Sequence, residues 1–222
     1  MPFHEPHAGY TFCSLGALAF IGRLDVNPST SDNPMRGPAH PHHVIRWLVS
    51  RQTELVDPDG MLDSEFSGGA KSAHGPPPEA RKGTKNAMVQ DVPIHQSPDK
   101  SVASFVDLDL DCTGMNGRSN KVADTCYAFW VTASLQMMEQ PILFDQRGLR
   151  RYLLKKTQHP ILGGFGKFPG DLPDLYHSYL GLAALSLAGS HEVKELDGTM
   201  CISKEARSRL SKLWNDWGIG ED

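Results

Sequence analysis

Residues 114–138 read Gly-Met-Asn-Gly-Arg-Ser-Asn-Lys-Val-Ala-Asp-Thr-Cys-Tyr-Ala-Phe-Trp-Val-Thr-Ala-Ser-Leu-Gln-Met-Met: a Gly-rich basic loop running straight into an apolar helix. The loop carries Arg118 and Lys121. From Cys126 to Met138, the residues Tyr127, Trp130, Val131, Ala133, Leu135 and Met138 recur at helical spacing. Between loop and helix lies Asp124-Thr125-Cys126-Tyr127. Asp124 and Cys126 are two apart and do not share a face of a regular helix. Backbone geometry at a first turn differs, and there both side chains can converge. A helix start also attracts anions through its free N–H groups and its dipole.

The pattern returns along the chain. Gly166-Lys167 precedes Asp174 as Gly117-Arg118 precedes Asp124, and the two aspartates are 50 residues apart. Three residues after each Asp comes Tyr127 or His177, and two further on Phe129 or Tyr179. His7-Ala-Gly-Tyr10-Thr-Phe12 fits the same register. Each unit reads as a loop, an inner helix and an outer helix, and such units stack into a curved array or close into a toroid. The helices expected besides Cys126–Met138 are Thr11–Ile21 (buried), His42–Arg51, Ile142–Lys156, Asp174–Ala188 behind Pro173, and Ser203–Trp214. No strand ladder is expected, so the fold class is all-α, a partial α/α toroid over 1–222.

One stretch, 54–113, breaks the pattern. Lys71–Lys100 within it is rich in Pro, Lys, Ser and Gly and lacks apolar periodicity, so it cannot bury enough surface to offset the entropy of ordering. It reads as a disordered, low-complexity insertion. The acidic run Asp107–Asp111 near its end reads as a solvated loop rather than a metal site.

Composition narrows the classes. The chain has 222 residues, 39% of them hydrophobic, enough for one packed core. A net charge of −4 gives no reason to expect a nucleic-acid partner. Four cysteines (Cys13, Cys112, Cys126, Cys201) stand at wide, irregular spacings with no CxxC pair, which fits a reducing compartment. The first residues lack the basic-then-apolar pattern of a signal peptide, and no apolar stretch is long enough to span a bilayer. A cytoplasmic location is expected. Dinucleotide, P-loop and nucleophile-elbow motifs are absent.

The chemistry concentrates on Asp124, Cys126 and His177, three good zinc ligands that together leave one position open. A zinc-bound thiol beside a basic, anion-attracting rim suggests a thiolate attacking a substrate with a diphosphate leaving group. Each residue also has a plainer reading. Cys126 alone fits a buried small hydrophobe, His177 a hydrogen-bonded core residue, and Arg118 with Lys121 a solvated loop. Tyr10, Tyr127 and Trp130 alone fit helix core.

The chain resembles the β subunits of protein prenyltransferases, those of the type I geranylgeranyltransferases most. The resemblance rests on His7-Ala-Gly-Tyr-Thr-Phe-Cys13, on Gly117-Arg-Ser-Asn-Lys121-Val-Ala-Asp124-Thr-Cys126-Tyr127-Ala-Phe-Trp130, and on Gly163-Gly-Phe-Gly-Lys167 through Asp174-Leu-Tyr-His177. It implies an α/α toroid, zinc ligands at Asp124, Cys126 and His177, and diphosphate contacts from His7, Arg118, Lys121 and Tyr127. It also implies that Tyr10, Cys13 and Trp130 line an isoprenoid cavity and that Tyr176 stands near the pocket for the end of the peptide. The implied partners are a helical α subunit, geranylgeranyl diphosphate, and proteins such as small GTPases ending in a CaaX sequence with Leu last.

Thr125 matches the type I pattern, where farnesyltransferases tend to carry Gly. Lys167 stands where farnesyltransferases carry an Asp that helps bind magnesium, which implies a magnesium-independent reaction. Tyr176 looks more like the farnesyl enzymes, so farnesyl transfer is kept as an alternative. The family's β subunits begin with several helix pairs before the His7 motif, so a partial barrel is expected. A non-catalytic helical module that binds an α subunit or prenylated proteins is the alternative from another class. A terpene cyclase-like toroid is weaker, because a catalytic acid cluster is missing.

Overall fold

The computed structural model describes residues 5–26, 37–54 and 112–218. Its frame is three inner helices side by side: α1 (Ala8–Phe20), α3 (Thr125–Met137) and α5 (Leu175–Leu187). α3 packs on both of the others. Each inner helix begins with an extended residue whose side chain caps a backbone N–H. His7 Nδ1 accepts from Gly9 at 3.1 Å, Asp124 Oδ1 from Cys126 at 2.7 Å, and Asp174 Oδ1 from His177 at 2.8 Å. The repeat read from the sequence is therefore a repeat of helix starts, and the three starts lie together. Ala8 N–H donates to Gly117 O at 2.9 Å, and Thr125 N–H to Lys167 O at 3.0 Å.

Having helices on two sides explains the composition of α3. Phe129, Val131, Ala133 and Leu135 are fully buried, and burying side chains of Val to Phe size is worth about 1.5–3 kcal/mol each. Thr132 and Ser134 are buried too, but their hydroxyls return to the carbonyls of Ala128 and Trp130, both at 2.7 Å. Phe12 of α1 meets Phe129 and Trp130 with ring centroids 5.4 and 4.8 Å apart. On the α5 side, Gly181 leaves room for the Phe165 ring, which a Cβ there would approach to 2.8 Å.

α1 was expected to be buried, and the structure corrects this. Only Ala8, Phe12, Leu15 and Gly16 are buried, a single i, i+4, i+7, i+8 stripe against α3. Tyr10, Phe20 and Ile21 on other faces are exposed.

The outer elements are α2 (Pro41–Val49), α4 (Gln146–Tyr152, continued by a π-helical turn at Leu153–Thr157) and α6 (Lys204–Asp216). The helix expected over Ile142–Lys156 starts late. Asp145 caps it by accepting from Gly148 N–H at 2.9 Å, and its own N–H donates to Gln52 Oε1 at 2.8 Å. Two short ladders also depart from the strand-free expectation: β1 (Gln52–Thr53) with β2 (Gly114–Met115), and β3 (Leu196–Asp197) with β4 (Ile202–Ser203), each antiparallel.

The β1–β2 pair closes the base of the stretch expected to be an insertion. Residues 55–111, including Asp107–Asp111, lie outside the described residues. Cys112 is buried, and Thr113 bonds both Gln52 and Gly148, so these two belong to the folded frame. Among the described residues no helix is long and apolar enough to cross a membrane.

Candidate metal centre and anion pocket

The starts of α3 and α5, with the loops before them, surround a pocket of about 410 Å³. Asp124, Cys126 and His177 line one wall, and Arg118, Lys121 and Lys167 supply its positive charge. Tyr127, Phe168 and Tyr176 complete the lining with Gly117 and Val122.

The acidic wall is built by capping. Asp124 precedes α3 and is nearly fully buried, with Oδ1 turned back onto the Cys126 N–H. Cys126, second residue of the helix, projects from the same turn, so the expected convergence occurs. His177, third residue of α5, enters from the neighbouring repeat with Nε2 3.9 Å from Asp124 Oδ1. Ligand atoms of all three residues lie within 4.8 Å of one another. Donors on one zinc ion sit about 2.0–2.3 Å from it, hence roughly 3.3–3.8 Å apart, so only a small contraction would bring these three onto an ion. A carboxylate, a thiol and an imidazole form a donor set that suits zinc, and three protein ligands leave a fourth position for a substrate atom.

The neighbours set each proton. Asp174 Oδ2 lies 2.6 Å from His177 Nδ1. A carboxylate there holds the proton on Nδ1 and leaves the Nε2 lone pair facing Asp124 and Cys126. These hydrogen bonds to His177 also hold the Asp174 carboxyl below its usual range. Burial pushes the Asp124 carboxyl up, against its bonds to Cys126 and the charge of Lys167, whose Nζ is 4.0 Å from Oδ2. Burial and the Asp124 carboxylate push the Cys126 thiol well above its ordinary value. With those neighbours alone Cys126 keeps its proton at neutral pH; a divalent cation would invert that, since a coordinating thiol is deprotonated.

On the cationic side the loop is shaped by three residues. Asn120 takes φ 58°, a left-handed conformation that Asn tolerates. At Gly117 a Cβ would stand 2.1 Å from the Tyr127 ring, so only glycine lets that ring lie under the loop. Asn116 Nδ2 donates to Lys121 O at 2.9 Å and fixes the turn before the helix. Arg118 reaches Glu5 Oε2 at 3.3 Å.

His7 acts through Tyr127. Its Nδ1 accepts the Gly9 N–H, so the neutral ring carries its proton on Nε2, 2.9 Å from the Tyr127 oxygen. Tyr127 then accepts from His7 and has its own hydroxyl hydrogen free to donate into the pocket. Burial, followed by Cys126 and Asp124, pushes the Tyr127 phenol up and keeps it a donor. Burial and Arg118 lower His7 and favour its neutral form.

Of the residues marked from the sequence, Asp124, Cys126, His177, Arg118, Lys121, Tyr127, Lys167 and Tyr176 meet at this pocket. Tyr176 stacks edge-on against His177 at 5.0 Å, its phenol pushed up to about 12 by burial and by Cys126. His7, Tyr10, Cys13 and Trp130 are not among the lining residues, and His7 reaches the pocket only through the Tyr127 hydroxyl. Tyr10 stands exposed beside His7, centroids 4.7 Å apart; Cys13 is exposed a turn further along α1; Trp130 lies against Phe12. Sequence reasoning took Asp174 only as a mark of the repeat. Its place three residues before a candidate ligand, in a helix cap, was the available signal.

Comparison with known proteins bears on this arrangement. The family model for the prenyltransferase alpha-alpha toroid domain matches residues 1–202. The β subunit of geranylgeranyl transferase type-1 from Arabidopsis thaliana is 51% identical over 84% of this chain and 34% of its own length. The corresponding protein of Dictyostelium discoideum is 38% identical over 94% of this chain and 39% of its own. Candida albicans protein geranylgeranyltransferase-I complexed with GGPP has a similar structure, with TM-score 0.57 and 26% identity over 93% of this chain and 43% of that one. The chain thus spans well under half the length of these relatives. With most of its length covered by the family model, the chain belongs to the prenyltransferase alpha-alpha toroid family.

Proposed function

We propose that the chain is the catalytic part of a β subunit of protein geranylgeranyltransferase type I, moving a geranylgeranyl group from geranylgeranyl diphosphate to the cysteine of Leu-ending CaaX proteins. The observation that carries this reading is the pocket itself, where three donor atoms within 4.8 Å face three cations. Asp124, Cys126 and His177 would hold zinc, which supplies a substrate thiolate at neutral pH. Arg118, Lys121 and the Tyr127 hydroxyl stabilise the charge that grows on the diphosphate as its bond to C1 breaks. His7 orients that hydroxyl. Lys167 places its ammonium group 4.0 Å from Asp124, which supports a reaction without magnesium.

The whole enzyme would pair this subunit with an α subunit in the cytoplasm. The stretch expected at 54–113, less Cys112 and Thr113 at its end, would be an insertion between two repeats, a reading the β1–β2 pairing at its base supports. The test is transfer to a Leu-ending peptide by the chain assembled with an α subunit, with either prenyl diphosphate and with magnesium omitted. Geranylgeranyl transfer that persists without magnesium supports the proposal. A preference for farnesyl diphosphate points to the farnesyl alternative. Exposed Tyr10, Leu175, Tyr179 and Leu182 on α1 and α5 support the second reading, a non-catalytic binding module; α-subunit binding without any transfer would favour it.

A further inference from the structure

Thr125 sits between two candidate ligands but its side chain faces away from both. It is fully buried. Its hydroxyl donates to Gly166 O at 2.7 Å, and its N–H donates to Lys167 O at 3.0 Å. One residue at the start of α3 therefore binds two consecutive carbonyls of the loop that carries Lys167 into the pocket. The loop on either side is conformationally permissive: Gly163, Gly164 and Gly170 all take positive φ. Other bonds hold the residues on both sides: Phe165 N–H donates to Ser178 Oγ at 2.9 Å, Gly166 N–H to Thr157 O at 3.0 Å, and Phe168 N–H to Asp171 Oδ2 at 3.0 Å. None of these takes the Gly166 or Lys167 carbonyl.

From this we infer that Thr125 is the positioning residue for Lys167. It fixes the backbone from which the lysine reaches the anion pocket, and so sets how strongly the pocket binds a diphosphate. A residue without the hydroxyl keeps the N–H bond but leaves Gly166 O buried with one partner fewer, and the peptide that leads into Lys167 loses the bond that fixes its tilt. Thr125's role rests on the reading of the pocket as a diphosphate site.

The experiment is a double-mutant cycle on the full chain, with inorganic pyrophosphate as the probe and calorimetry as the readout. Lys167→Ala should weaken binding by about tenfold, as loss of a charged contact does. Thr125→Val, nearly the same shape, should weaken it by roughly threefold to tenfold. In the Lys167→Ala background Thr125→Val should cost nothing further. Thr125→Ser should restore wild-type binding within about twofold, which shows that the hydroxyl and not local packing is responsible.

Zinc affinity, measured in parallel, should be unchanged in Thr125→Val. Equal losses with and without Lys167, or no loss at all, would overturn the inference while leaving the diphosphate reading in place. A wild-type chain that does not bind pyrophosphate would overturn both.

Discussion

Asp124 and Asp174 occupy the same place in successive repeats, yet they do different work. Both are extended N-caps, and both accept a backbone N–H from the first turn of their helix. Asp124 is buried between α3 and the Lys167 loop, and its carboxylate faces Cys126 and His177. Asp174 lies at the open side of α5, half exposed, and its second oxygen binds His177 Nδ1. Burial raises the first carboxyl and hydrogen bonding lowers the second. A repeat thus supplies the same residue twice, and the neighbours it acquires decide that one offers itself as a ligand while the other orients one.

The largest expected effect separates these roles. Asp124→Ala, like Cys126→Ala and His177→Ala, removes a donor and should bring zinc retention below detection by competition with a chromophoric chelator. Retention of one zinc by any of the three would break the comparison on the ligand side. Asp174→Asn keeps an oxygen for the cap but can no longer hold the His177 proton on Nδ1 as a carboxylate does. It should lower zinc affinity by about 10–100-fold without abolishing it, the usual cost of losing such a partner. An unchanged affinity would show that the ring is oriented by packing alone.

The preceding loops extend the contrast. Gly117 and Gly166 also correspond in the repeat. A Cβ at Gly117 would meet the Tyr127 ring at 2.1 Å, and one at Gly166 the Asp171 carbonyl at 2.7 Å. Each alanine variant should lose about 1–3 kcal/mol in urea unfolding, the range for forced overpacking. Only Gly117→Ala should disturb Tyr127; equal Tyr127 fluorescence in both would contradict the assignment of that ring to the loop.

The third cap gives the smallest effect. His7 caps α1 only while Nδ1 is unprotonated, and its pKa is lowered in the fold. Its stabilising contribution is complete above its ordinary value, about 6.5, and is lost as pH falls through the lower native value. Between pH 7.5 and 5 the wild type should lose thermal stability more steeply than His7→Asn. Parallel curves would contradict a neutral cap.

Much of this was legible in the sequence because capping and repeat spacing are local signals. α3 was expected over Cys126–Met138 and runs Thr125–Met137; α5 was expected over Asp174–Ala188 and runs Leu175–Leu187. The Asp-Thr-Cys step named two donors, and the repeat register pointed to His177. The contacts of Thr125 and Asp174 were not legible as such. The first joins residues 41 positions apart through a loop with no periodicity, and the second depends on which way the His177 ring turns. The late start of α4 was hidden for a similar reason, since its cap, Asp145, is tied to Gln52 across 93 positions.

The most direct measurement is the electronic spectrum of the chain with cobalt(II) in place of zinc. The account predicts saturation at one ion per chain, visible bands of a tetrahedral site, and a thiolate-to-metal band in the near ultraviolet that disappears in Cys126→Ser. No stoichiometric binding, or a spectrum unaffected by Cys126→Ser, would contradict the claim that Asp124, Cys126 and His177 form one metal centre.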